Sequence, residues 1–283
     1  MKESLLSSNT LGDHEYALFC RFLEHRCGIV LGENKQYLVR SRLSPLLGKF
    51  NQKSLSDLIK RTLANHDITL INAVVNAMTT NETLWFRDSY PFDILQQTLL
   101  PQLAKSGKKI RIWSAACSSG QEAYSIAMSV FEYQTRNPGA LAGGVEIIAT
   151  DISSEMLSLA EAGQYDNLSL SRGLSSERKA RFFDTSSEGN CSVIKQNIRN
   201  MVSFKPINLL MPYTNPTRYD VVFCRNVLIY FSATSKVSIL QKLAACLQPQ
   251  GALFVGASES LTGITTEFTM NRSGSGLFYS KKI

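Results

Sequence analysis

The chain has 283 residues, 44% of them hydrophobic, and a net charge of +7 from 30 Lys and Arg against 23 Asp and Glu. That length supports one large domain or two smaller ones, each with its own core, and the charge points to an acidic partner or to a solvated basic surface. Six scattered cysteines without a C-x-x-C pair exclude a disulfide framework or a zinc site. The only histidines, His14, His25 and His66, fall in the first quarter, which excludes a catalytic histidine later in the chain.

Met1 to Asn9 lacks the apolar core of a signal peptide, and no apolar run reaches the length of a membrane span, so the expected compartment is the cytoplasm, without membrane insertion. Residues 1 to about 12 are polar and predicted to fray. From Asp13 the period is helical, with Tyr16, Cys20, Leu23 and Cys27 on one face and Gly28 as the stop. A second helix is predicted from Asn34 to about Leu47 with Leu38, Leu43 and Leu46 inward. Ser54-x-x-Asp57 resembles a capping box and opens a third through Leu55, Leu58, Ile59 and Leu63. A fourth starts near Asp67 with Ile71, Val74, Val75 and Met78 on one stripe. Residues 13–80 therefore read as a small all-α domain. Ten basic residues against seven acidic ones over residues 1–80 make this part of the chain mildly basic. Lys35 and Arg42 lie two helical turns apart with Arg40 nearby, either a solvated face or a docking surface for an acidic helical partner.

Thr79 to Asp88 is polar, then aromatic, then charged, and reads as a loop folding back onto a site. A helix from Ser89 to about Leu103 follows, so that residues 81–107 form a connecting loop and helix. The stretch Ile110 to Gly120 is an apolar strand running into small residues and one glycine, with a helical pattern starting at Gln121 and Glu122. Strand, tight turn and helix open a nucleotide-type α/β site. The dinucleotide glycine pattern is absent. Val145 to Asp151 is a buried strand ending in a carboxylate, placed either to accept both ribose hydroxyls or to cap the helix predicted at Ser154 to Ala162. Arg172 to Phe183 is helical, and Cys191 to Lys195 and Met201 to Phe204 are β-like, which predicts a small antiparallel insertion at about 184–206 within a domain of residues 108–283. Asn208-Leu209-Leu210 and a loop to Arg218 precede the buried strand Tyr219 to Cys224, whose tip is Arg225-Asn226-Val227-Leu228-Ile229-Tyr230. A helix from Ala233 to Cys246, a strand from Ala252 to Gly256 and a closing hairpin around Ser273-Gly274-Ser275-Gly276 complete the chain.

Ligands in open α/β sheets bind beyond the carboxyl ends of the strands, so the Gly120 turn, Asp151, Asn208 and Arg225 to Tyr230 converge on one crevice, with Asn81 to Arg87 as a lid. No Walker lysine, metal-ligand cluster or nucleophile elbow is present in the sequence. A nucleoside site of this kind fits S-adenosylmethionine, which brings its own leaving group.

Taken together, Thr80-Asn81-Glu82-Thr83 with Phe86-Arg87, Ala116 to Ser125, Ala149-Thr150-Asp151-Ile152, Asn208-Leu209-Leu210, Cys224 to Phe231 and Gly256-Ala257-Ser258-Glu259-Ser260 resemble, in order, the CheR family of chemoreceptor glutamate methyltransferases. The resemblance implies a helical N-terminal domain and a Rossmann-like S-adenosylmethionine-dependent methyltransferase domain carrying an inserted antiparallel β-subdomain. It implies that Asn81, Thr83 and Arg87 line the cofactor from the lid side, and that Gly120 and Glu122 face its methionine portion. Asp151 would hold the ribose, Asn208 and Leu209 would flank the adenine, and Arg225 and Asn226 would close the site. Tyr230 and Arg87 would be catalytic, nearest the reacting methyl. Where the family usually has Gly-Glu-Glu-Pro, this chain has Gly120-Gln121-Glu122-Ala123. The implied product is S-adenosylhomocysteine, with no metal, and the implied partner is the helical methylation region of chemoreceptors, met by Lys35, Arg40 and Arg42. The expected state is a monomer without nucleic acid. A nucleic-acid methyltransferase is disfavoured because Arg225-Asn226-Val227-Leu228 is not an Asn/Asp-Pro-Pro-aromatic clamp. A non-catalytic cofactor sensor is the other alternative. The short Asp184 to Asn190 turn, with one glycine, is read as not tethering a receptor peptide.

Overall fold

The computed structural model describes residues 11–185, 190–213, 218–274 and 276–283. Most of the segment predicted to fray, part of the 184–190 turn, part of the loop before Arg218, and Ser275 of the closing turn lie outside the described residues. The chain forms two compact units. One runs through Thr80 and includes Tyr230–Ser235, and the other comprises Asn81–Ile229 and Lys236–Ile283.

The first unit contains α1 (Asp13–Cys27), α2 (Gln36–Lys49), α3 (Leu55–Leu63) and α4 (Ile68–Met78). Their ends follow local chemistry. Gly28 takes φ 79° and its N–H caps Leu23 and Glu24 carbonyls. Ser54 accepts from the Asp57 amide, and Asp67 from the Leu70 amide. Phe19, Leu23, Val39, Leu43, Leu58, Ile59, Leu70 and Val74 are fully buried. The inward stripe of α2 is Val39 and Leu43, whereas Leu38 and Leu46 are only half-buried. The helix also starts later than Asn34, which adopts φ 62°; Leu43 is buried as expected, and Val39, four residues before it, shares its face.

The second unit opens with α5 (Tyr90–Ile94), which passes through a wider π-type turn (Leu95–Leu99) into α6 (Leu100–Ala104). Its main sheet holds β1 (Ile110–Ala115), β2 (Val145–Asp151), β6 (Val202–Pro206), β7 (Tyr219–Phe223), β8 (Leu247–Phe254), β9 (Phe268–Ser273) and β10 (Gly276–Lys281) in the order β6-β2-β1-β7-β8-β10-β9. The first five are parallel, and β10 pairs antiparallel with β8 and with β9. The near-continuous apolar runs of β1, β2 and β7 belong to strands covered on both faces. One covering element is α7 (Gln121–Arg136), whose residues from Gln121 to Val130 are all buried. The order reverses between β1 and β7, which puts a crevice beyond their carboxyl ends.

A second sheet, β3 (Gln164–Asp166), β5 (Cys191–Ile194) and β4 (Phe183–Thr185), is antiparallel in the order β3-β5-β4. This corrects the insertion expected at about 184–206. The sheet begins at Gln164, directly after α8 (Ser154–Ala162). The run Val202–Pro206 is instead β6, parallel to β2, with Asp151 opposite Pro206. Local β pattern identifies a strand but not which sheet it joins. Between β3 and β4 lie two short helices, α9 (Asn167–Ser171) and α10 (Ser176–Phe182), the second falling within the helix expected from Arg172 to Phe183 but starting four residues later. After β5 comes α11 (Gln196–Arg199), and before β8 comes α12 (Ala233–Cys246). Among the described residues no helix is long and apolar enough to cross a membrane.

Candidate functional site

The turn joining β1 to α7 has positive φ at Ala116 (69°), Ser118 (50°) and Gly120 (96°). At Gly120 glycine is required twice over: φ lies in the left-handed region, and an added Cβ would stand 2.9 Å from Ala160 Cβ and 3.1 Å from the Tyr165 hydroxyl. The two strained non-glycine residues cost about 1–3 kcal/mol each, so neighbours must hold them. The amides of Ala116 and Cys117 donate to the Thr150 carbonyl at 2.8 and 2.9 Å. Ser118 N–H donates to Asp151 Oδ2 at 2.8 Å, and its hydroxyl donates to the Asn81 carbonyl at 2.8 Å.

Asp151 ends β2 and is buried. Its other oxygen, Oδ1, accepts from the Ser153 amide at 2.9 Å. Burial raises its carboxyl above the ordinary carboxylate value, against the opposing pull of the Ser153, Ser118 and Ile152 amides. The cap of α8 is Ser153, not Asp151, because Ser153 accepts from the Met156 amide. Asp151 therefore pins the β1 turn.

Glu122 lies in the first turn of α7. Its Oε1 accepts from Ser114 Oγ at 2.8 Å and its Oε2 from Arg225 Nη1 at 3.1 Å. Burial raises its carboxyl, while the charges of Arg225 and Arg87 and the bonds from Ser114 and Arg225 pull it down. Arg225 is itself buried, and its Nη2 donates to Asp88 Oδ2 at 2.6 Å and to the Arg87 carbonyl at 2.8 Å. One guanidinium thus meets two carboxylates and ties the Asn81–Asp88 strap to α7. Arg225 Nε is buried without a partner among the described residues.

The strap packs through Trp85 against Tyr165 and Phe183, and through Phe86 beneath the Arg178 guanidinium at 3.7 Å. Arg87 forms no ion pair among the described residues, and its Nη1 reaches the Glu82 carbonyl only at 3.5 Å. Thr83 is half-buried in the same strap. Asn208 follows β6, its Oδ1 accepting from the Leu210 amide at 3.0 Å, and Leu209 is buried beside it. Asn226 takes φ 57°, and its amide donates to Glu259 Oε2 at 2.8 Å.

Hydrogen bonds thus link Asn81 through Ser118 to Asp151 and Arg87 through Arg225 to Glu122, while Thr83 lies in the same strap, Gly120 in the β1 turn, Asn208 and Leu209 beyond the end of β6, and Asn226 next to Arg225. Tyr230 ends a 3-10 turn (Leu228–Tyr230) and belongs to the helical unit, where its carbonyl accepts from the Val30 amide at 3.0 Å. Lys35 and Arg40 are exposed. Arg42 is committed: it donates to the Met78 and Thr79 carbonyls and to the Thr80 hydroxyl. Sequence reasoning missed Asp88, Ser114, Ser118 and Glu259. Asp88 and Glu259 stand within stretches it had already singled out. Among the described residues no group of three His, Cys, Asp or Glu side chains is arranged to hold a metal.

The family described as "CheR methyltransferase, SAM binding domain" matches residues 81–276, and "CheR methyltransferase, all-alpha domain" matches residues 14–79. "Chemotaxis protein methyltransferase 1" of Vibrio cholerae is 53% identical over 98% of this chain and 100% of its own length. "Chemotaxis protein methyltransferase 1" of Pseudomonas aeruginosa is 50% identical over 95% of this chain and 98% of its own. "Chemotaxis protein methyltransferase" of Escherichia coli is 32% identical over 92% and 89%. The sheet and its crevice are thus those of a Rossmann-like, S-adenosylmethionine-binding methyltransferase domain. With its all-α companion, the chain belongs to the CheR methyltransferase family.

The residues present fit the cofactor. Asp88, Glu122 and Asp151 exceed Arg225 and Arg87 by one negative charge, which suits a group carrying a sulfonium and an ammonium, and Arg87 and the unpartnered Arg225 Nε are donors for a carboxylate or a hydroxyl.

Proposed function

We propose that the chain transfers a methyl group from S-adenosylmethionine to ionised glutamate side chains on helical segments of chemoreceptors, giving methyl esters. The carrying observation is the set of crevice residues, Arg87, Glu122, Asp151, Arg225 and Asn226, in a chain whose relatives are named chemotaxis protein methyltransferases. When bound, the cofactor supplies an electrophilic methyl on a positively charged sulfur. Asn81, Thr83 and Arg87 are assigned to line it from the lid side, Gly120 and Glu122 to its methionine portion, Asp151 to the ribose, Asn208 and Leu209 to the adenine, and Arg225 and Asn226 to closing the site.

A glutamate carboxyl has a reference pKa of about 4.3 and is ionised at neutral pH. It needs no base, and the residues must instead remove its water and aim one oxygen. Orientation of this kind is worth on the order of 7–11 kcal/mol. Arg87, with no carboxylate partner of its own among the described residues, is assigned to pair with one, and Tyr230 to fix the approach. Exposed Lys35 and Arg40 on the helical unit are assigned to meet an acidic helix.

The test is incubation with methyl-labelled cofactor and receptor membranes. Alkali-released labelled methanol supports a carboxyl ester, whereas alkali-stable label on nucleic acid, or no transfer to any acceptor, overturns the reading. Y230F should cut turnover tenfold or more with cofactor affinity unchanged, and wild-type turnover would remove Tyr230 from catalysis.

A further inference from the structure

Glu259 lies outside every role assigned above, yet three backbone amides engage its carboxylate. Oε2 accepts from the Gly256 amide at 2.6 Å and the Asn226 amide at 2.8 Å, and Oε1 from the Ile229 amide at 3.2 Å. Its own amide donates to the Gly256 carbonyl at 2.8 Å. One side chain from the segment after β8 therefore holds the tip that follows β7.

That tip needs holding. Asn226 is a non-glycine residue at φ 57°, a conformation that persists only where its surroundings fix it. Residue 256 is glycine because an added Cβ would lie 2.5 Å from Asn226 Nδ2 and 2.8 Å from Glu259 Oε2. The two strand tips thus meet at the Asn226 side chain, with the carboxylate as the clasp. The residue before Asn226 is Arg225, whose Nη1 donates to Glu122 and whose Nη2 donates to Asp88 and the Arg87 carbonyl. A shift of the Asn226 backbone would move that guanidinium and the strap bound to it.

We infer that Glu259 is a positioning residue for cofactor binding: it fixes the left-handed turn at Asn226 and so sets the places of the Arg225 guanidinium and the Asn226 amide. The inference rests on reading the crevice as the S-adenosylmethionine site. In E259Q one accepting oxygen becomes an amide NH2 group facing backbone N–H donors, so the turn loses acceptors without losing side-chain volume. E259D keeps the charge but shortens the reach.

The test is calorimetric titration of S-adenosylhomocysteine into the full chain, wild type, E259Q and E259D, with steady-state kinetics and thermal unfolding of the ligand-free proteins. E259Q should bind about tenfold or more weakly, with a matching rise in cofactor KM, kcat at saturating cofactor within about threefold of wild type, and a ligand-free unfolding midpoint within a few degrees. E259D should fall between, and it carries the test if the amide variant does not fold. Binding by E259Q within twofold of wild type overturns the inference, as does equal loss of kcat and kcat/KM with cofactor affinity intact. Loss of the fold in both variants overturns it too, since the carboxylate would then serve the fold as a whole. If the wild type itself takes up no S-adenosylhomocysteine, the cofactor reading falls, and this inference with it. If the wild type binds and E259Q equals it, only the inference falls.

Discussion

The turns after β1 and β7 solve one problem in two ways. Both lie at carboxyl ends of adjacent parallel strands, both contain non-glycine residues with positive φ, and both are held by a carboxylate from the tip of a neighbouring strand. Asp151 holds the first by splitting its oxygens between Ser118 in the turn and Ser153 in its own loop. Glu259 holds the second by gathering three amides, Gly256, Asn226 and Ile229. The first turn also leans on Gly120, seated against Ala160. The second leans on its charge contacts, through Arg225 to Glu122 and Asp88. Both turns thus join hydrogen bonds to a glycine packed against a neighbour, but only the β7 turn also carries a buried guanidinium paired with two carboxylates, so the two should fail differently.

The most damaging change to the first is G120A. A methyl at φ 96° and within 2.9 Å of Ala160 Cβ combines a left-handed penalty of about 1–2 kcal/mol with overpacking of about 1–3 kcal/mol. Denaturant unfolding should show a loss of about 2–5 kcal/mol and calorimetry no measurable uptake of S-adenosylhomocysteine. Wild-type stability would show that the turn relaxes freely. D151N is milder. One acceptor oxygen survives and the buried charge is removed, so the loss should be about 1–3 kcal/mol. Cofactor affinity should fall further than stability if Asp151 also holds the ribose, and a proportional fall would confine it to pinning the turn.

A smaller effect is expected at Glu132, which accepts two bonds from Arg178, the residue stacked on Phe86 of the strap. Burial pushes its carboxyl up, but the bonds from Arg178 and Gln96 and the charges of Arg178 and Arg136 bring it below the ordinary value of 4.5. Because the folded value is the lower one, this contribution is present above the unfolded carboxylate value and is lost as pH falls through the folded one. E132Q should lower stability at neutral pH by about 1–2 kcal/mol and flatten its decline in the acid range. An unchanged acid limb would assign the decline to other carboxylates.

Much of this was legible in the sequence where a signal is local. The helix Asp13–Cys27 with its Gly28 stop, the Ser54 cap and the strand ending at Asp151 all follow from period and end chemistry. Elements whose identity depends on a distant neighbour were not. Val202–Pro206 has the same local pattern whether it pairs with β2 or with a small insertion, and only the pairing decides. Gln164–Asp166 is three residues long in a polar stretch, too short to carry a period. Glu259 escaped because its partners are backbone amides, which leave no trace in side-chain pattern. Arg42 was read as surface charge because its acceptors are carbonyls 36 and 37 residues away.

That last contact changes what a charge-reversal scan would measure. The Arg42 guanidinium plugs the carboxyl end of α4, where carbonyls have no further turn to bond. Reversing Lys35 or Arg40 changes an exposed charge on the proposed docking face, at the cost for Lys35 of its contact with Tyr37, whereas reversing Arg42 also thrusts an anion against an already negative helix end. A lost interaction in that one variant would therefore report unravelling as much as recognition, and the two exposed neighbours are the cleaner probes.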